Sequence, residues 1–138
     1  MEVNEIVILL CMIFLHIVDD YYMQGILASM KQKAWWKENY PETLYKYDYL
    51  IALVEHAFSW TFSIHIPLVV WMILKNMDIS TISFVAIFIV NWFIHGFVDD
   101  LKANKLKINL VCDQVIHIIQ IIITWLIYLN IIGNLTAI

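Results

Sequence analysis

Three histidine–aspartate pairs share one spacing in this sequence: His16 with Asp20, His95 with Asp99, and Asp113 with His117. A separation of four residues puts each pair on one helix face, where imidazole and carboxylate can chelate the same ion. By chance a histidine would meet an aspartate at that spacing about 10% of the time; three of the five histidines do so. His56 adds a fourth imidazole. No thiolate joins them, because Cys11 and Cys112 form no CxxC or comparable spacing and read as structural thiols without a disulfide. A nitrogen and oxygen donor set suits zinc or manganese, and also iron, rather than copper(I) or an iron–sulfur cluster. The seven candidate ligands are His16, Asp20, His56, His95, Asp99, Asp113 and His117. They exceed what one tetrahedral ion uses, which leaves room for two ions a few ångströms apart. The same residues also read as a hydrogen-bonded network that holds helices together, or as a proton or ion path.

The elements that must position these groups are membrane spans. The chain of 138 residues is 62% hydrophobic and 14% charged, with a mean hydropathy of +0.77. A soluble domain of this size has too much surface to be so apolar without exposing large patches. The composition excludes disorder, a disulfide scaffold and a free nucleic-acid binder, so no nucleic-acid partner is expected. Apolar runs at 6–23, 49–74, 79–98 and 108–132 each suffice to cross about 30 Å of hydrocarbon as a helix. The chain thus reads as a single all-α, polytopic domain over 1–138. Pro67 predicts a kink in the second span. Met1–Glu5 has no basic residue, so the first run is expected to be a span rather than a cleaved signal.

Seven lysines lie on one side of these spans: Lys31, Lys33, Lys37 and Lys46 in the first connection, Lys102, Lys105 and Lys107 in the third. Lys75 alone lies on the other. The positive-inside rule then makes the first and third connections cytoplasmic and both termini extracytoplasmic. The first connection interleaves Trp35, Trp36, Tyr40, Tyr45, Tyr47 and Tyr49 with lysine, the composition of a segment lying in the headgroup layer. That topology brings all four helices' ligand-type residues to the cytoplasmic leaflet. His65 is the exception, lying roughly 13 Å deeper than His56 at the helical rise, and reads as a buried structural histidine.

The ordered string His16-x3-Asp20-x3-Gln24, His56, His95-x3-Asp99-x2-Lys102 and Asp113-Gln114-x2-His117 resembles the bacterial and phage membrane family catalogued as domain of unknown function 3307. The resemblance spans nearly the whole chain. It implies a four-helix protein of the bacterial inner (plasma) membrane and assigns no activity. Asp19 and Asp100, which make Asp-Asp doublets, and Ser59-Trp60, where that family often has a second histidine, depart from its pattern. A looser likeness is to membrane-bound metal-dependent hydrolases, which also carry His/Asp motifs at helix ends.

The leading functional expectation is a metal-dependent hydrolase acting on a lipid or phosphate-bearing substrate. Glu55, Asp19 or Asp100 would be its general base and Lys102 its partner for a substrate phosphate. A transporter or channel subunit, and a non-enzymatic bacterial or phage membrane factor with a structural polar site, are the alternatives. A path across the bilayer needs polar groups through the midplane, which only His65 offers here. With three glycines and no GxxxG pair, oligomeric state stays open. The lysine asymmetry is tested by cysteine labelling in intact cells. Lys33→Cys should resist membrane-impermeant reagents, and strong external labelling would move the site to the other leaflet.

Overall fold

The computed structural model of the chain describes residues 5–76 and 80–136. Met1–Asn4, and Ile79 where the third span was expected to start, lie outside them. Among the described residues α1 (Glu5–Val18) continues into a π-helical turn, Asp19–Met23, and is followed by two short helices, α2 (Leu27–Met30) and α3 (Lys33–Asn39). Three long helices follow: α4 (Asp48–Leu74), α5 (Thr81–Ala103) and α6 (Leu110–Thr136). α1 with its π turn and the three long helices are long and apolar enough to cross a membrane. The four expected spans therefore correspond to four helices, with boundaries shifted by a few residues.

Local chemistry explains several of those boundaries. Asn109 caps α6, its side-chain oxygen accepting the Cys112 N–H at 2.9 Å. Gly25 ends the first helix with φ +50, a conformation that costs glycine little and lets the chain turn into α2. α4 continues through Pro67, although proline has no N–H for the carbonyl one turn earlier.

The helices close a ring in the order α1, α4, α5, α6, each packed on the next and α6 back on α1. Apolar side chains cover its outside: Leu10 and Phe14 on α1, Ile73 on α4, Phe93 on α5 and Ile119 on α6 are all exposed. Its interior has two parts. Ile8, Met12, Trp60, Ile64, Leu68 and Ile121 form an apolar core. One turn further toward the lysine-rich end, the same inward faces carry His16 after Met12, His56 before Trp60 and His117 before Ile121. Polar residues inside and apolar ones outside are the pattern expected of a bundle whose solvent is lipid. Cys11 and Cys112 are free and exposed, so neither contributes to the core.

α4 and α5 approach closely at Gly96, where an added Cβ would lie 3.4 Å from the Ala57 Cβ. Gly96→Ala should be accommodated, whereas Gly96→Leu should separate the helices and cost about 1–3 kcal/mol. Denaturant unfolding of the micelle-solubilised protein measures the difference.

Candidate metal centre

The π turn determines how α1 reaches the centre. The turn is closed by the Gln24 N–H on the Asp19 carbonyl at 3.2 Å and carries two consecutive carboxylates, Asp19 covered by α4 and Asp20 by His56 and Gln114. The Asp19 residue is 1% exposed and the Asp20 side chain 4%. α4 supplies His56, α5 supplies His95 and Asp99, and α6 supplies Asp113 and His117, all buried.

His95 is central and fully enclosed. Its Nε2 lies 3.2 Å from His56 Nε2, and its Nδ1 lies 3.2 Å from His117 Nδ1. The Trp60 ring stacks on it at 4.1 Å between centroids. Carboxylates stand beside these imidazoles: Asp20 Oδ1 is 3.3 Å from His56 Nε2, and Asp99 Oδ1 is 3.3 Å from His117 Nε2. Two sets of three groups result, Asp20–His56–His95 and His95–Asp99–His117, each able to hold a metal ion. Donor atoms about 2.0–2.1 Å from a tetrahedral ion lie about 3.3 Å from one another. In the first set, Asp20 Oδ1, His56 Nε2 and His95 Nε2, separations of 3.2 and 3.3 Å match that spacing; in the second, Asp99 Oδ1 lies 3.3 Å from His117 Nε2 and 4.0 Å from His95 Nε2, a looser arrangement.

Five of the seven expected ligands thus fall in these sets; His16 has other partners, and Asp113 borders the second set with Oδ1 3.5 Å from His117 Nε2. The Trp60 indole, which can only donate, gives its N–H to His16 Nδ1 at 2.7 Å. His16 Nε2 must then carry the proton, directed at Gln114 Oε1 at 3.1 Å. With both ring nitrogens engaged, His16 braces the centre rather than coordinating. Gln114 passes the constraint on, donating to Asp20 Oδ2 at 3.0 Å and to Asp113 Oδ2 at 3.1 Å. Asp113 also pairs with Lys102 Nζ at 2.5 Å.

The residues expected to be catalytic separate clearly. Glu55 is exposed and makes no contact with the cluster, because its neighbour His56 takes the inward direction. Asp100 is held outside by Lys105 at 3.0 Å and Asn104 at 2.9 Å. Asp19 alone of the three is inside. It accepts hydrogen bonds from Ser59 at 2.7 Å and Ser63 at 3.2 Å, and faces His56 Nδ1 at 3.8 Å. A carboxylate behind a histidine in this way orients the ring so that its other nitrogen faces the ion. Lys102 turns inward to Asp113 with its side chain 26% exposed, instead of extending freely toward headgroups. His65 is remote from both sets, as its depth predicts, with Nδ1 against the Thr61 carbonyl at 2.7 Å and its ring among Phe84, Phe88 and Tyr128.

Sequence reasoning missed Lys31. It reads as one more interfacial lysine, yet it is 5% exposed and its Nζ lies 2.5 Å from Asp99 Oδ2. Asn104 fastens the surrounding backbone, donating to the Lys31 carbonyl at 3.0 Å and accepting the Lys33 N–H at 2.7 Å. The polar triad beyond the cluster was missed too: Gln120 and Thr124 both donate to Asn91 Oδ1 at 2.9 Å. Asp113, His117, Gln120 and Thr124 recur along α6 at helical spacing, which was the available signal.

No family model matches the chain, and neither does any curated protein or solved structure. The family likeness therefore rests on its motif string alone.

Lys31→Met should destabilise the chelator-treated protein by about 3–5 kcal/mol, the cost of stranding a buried charge. Combining it with Asp99→Asn should recover most of that loss, because charge and countercharge leave together. Unfolding of the single and double variants measures both.

Proposed function

We propose that this chain is a multi-pass membrane protein that holds a divalent transition metal, zinc or manganese, in its His/Asp cluster and uses it for hydrolysis. The substrate is a lipid or another phosphate-bearing molecule reached from one leaflet. The observation that carries this reading is His95, fully buried and shared by two three-ligand sets, the one with Asp20 and His56 having metal-like spacing. Such a group of imidazoles and carboxylates is costly inside an apolar bundle unless a cation balances it. Four carboxylates, Asp19, Asp20, Asp99 and Asp113, face two ammonium groups, Lys31 and Lys102. Two negative charges are left over, which one divalent ion, or protonation of His56 and His117 beside their carboxylates, neutralises. A second ion would require the lysines to leave.

The metal supplies Lewis acidity toward a phosphoryl or acyl oxygen. Asp19, braced by two serines behind His56, is the buried one of the three expected bases, and it serves to orient that imidazole toward the ion. Lys102, at the partly open edge of the cluster, is suited to meet a substrate phosphate. The seven-to-one lysine asymmetry favours the cytoplasmic leaflet, and the motif string favours a bacterial or phage origin and the bacterial plasma membrane. The transporter reading has the Asn91–Gln120–Thr124 triad in its favour, but Trp60, Ile64, Leu68 and Ile121 pack the bundle beside it.

Elemental analysis of gently purified protein should find about one transition-metal ion per chain. His95→Ala should abolish binding, and His65→Ala should leave it nearly unchanged. Asp19→Asn should weaken metal binding about 10–100-fold, as expected for a carboxylate that orients a ligand histidine, and turnover on a phospholipid panel should fall with it. Metal-free wild-type protein, or equal metal loss at His65→Ala, would return the cluster to a structural role.

A further inference from the structure

The connection between the first two long helices does more than lie at a surface. Trp36, Tyr40 and Tyr45 pack against one another, with ring centroids 5.3 to 6.4 Å apart. The Trp36 indole is anchored on the Met30 carbonyl at 2.6 Å. This aromatic group walls a cavity of about 400 Å³ that Lys33, Lys37 and Lys46 also line. That volume lies within the range of small-ligand sites.

Charge and position define the occupant. Lys31, Lys102 and Lys105 are each paired with an aspartate. By contrast, Lys33 and Lys46 lie over the rings of Tyr49 and Tyr47, at 4.6 and 5.2 Å from their centroids. Among the described residues, none of the three cavity lysines makes an ion pair with a carboxylate, and Glu42 is the one acid in the lining. Three ammonium groups against one carboxylate attract an anion and repel the ammonium of a zwitterionic headgroup. The cavity also sits at the start of α4, where the apolar span begins. Beside it Leu44 and Tyr47 are 77% and 62% exposed, apolar surface that suits a lipid and serves no purpose for a soluble anion.

We propose that this cavity binds the phosphate-bearing headgroup of an anionic phospholipid in the adjoining leaflet. The site is separate from the His/Asp cluster. It rests on the membrane-embedded part of the functional reading and not on the metal.

The test uses the full chain in mixed micelles of neutral detergent with equal phosphatidylglycerol and phosphatidylcholine, read by native mass spectrometry. The wild-type protein should retain phosphatidylglycerol with at least about ten-fold preference, given the attraction of each lysine for anionic lipid. The triple variant Lys33→Gln, Lys37→Gln, Lys46→Gln should lose that preference. Lys107→Gln, at the same end but outside the cavity, should keep it. Should the triple variant fail to fold by circular dichroism, Lys37→Gln against the charge-retaining Lys37→Arg decides the matter, with preference weakened only in the first. Equal retention of the two lipids, or a loss at Lys107→Gln as large as in the triple variant, would overturn the proposal. Displacement of the lipid by excess inorganic phosphate would reassign the cavity to a soluble phosphate. Metal content measured on the same samples separates failure here from failure of the metal reading.

Discussion

Everything at the lysine-rich end of this molecule answers to one constraint: four carboxylates are buried within an apolar bundle. An isolated carboxylate in such surroundings would cost several kcal/mol, so each must find a donor or a cation. Lys31, from the first connection, and Lys102, from the last turn of α5, reach in to neutralise two of them. Serine hydroxyls, the Gln114 amide and the imidazoles satisfy further oxygens. Helix ends, loop path and side-chain rotamers at that end can all be read as consequences of this requirement.

The constraint also explains why the first connection is ordered so tightly. Lys31 can reach Asp99 only if the backbone after α2 lies across the end of α5, and Asn104 fixes it there from both sides. The aromatic residues then pack behind a strand of chain whose position is already set. Surface anchoring and interior electrostatics, which look like separate properties of the sequence, are thus coupled through a single lysine.

Much of this was legible beforehand. Apolar run length identified the four long helices, and the four-residue His/Asp spacing identified three faces of the site. The depth of His65 correctly set it apart. What could not be read was the facing of residues beyond those pairs, because outside the polar cluster the exterior of the bundle is as apolar as its core. Glu55 and His56 are therefore ambiguous neighbours in sequence and opposite in fact. His16 carried the right spacing, but its occupation by Trp60 and Gln114 depends on contacts between helices far apart in the chain. Lys31 was hidden among other lysines, since its role depends on a partner 68 residues away.

The π-helical turn at Asp19–Met23 has an implication for how this chain can vary. A π turn is an α-helix carrying one residue more than its hydrogen-bond ladder needs. Deleting one residue between Asp20 and Gln24 would restore the regular ladder without removing a ligand. It would also rotate everything beyond the deletion by about 100°, altering how Gln24 meets Asp20 and how the chain turns into α2. Segment length is therefore fixed by geometry even where side-chain identity is free: exposed positions such as Tyr21 and Tyr22 can be exchanged but not omitted.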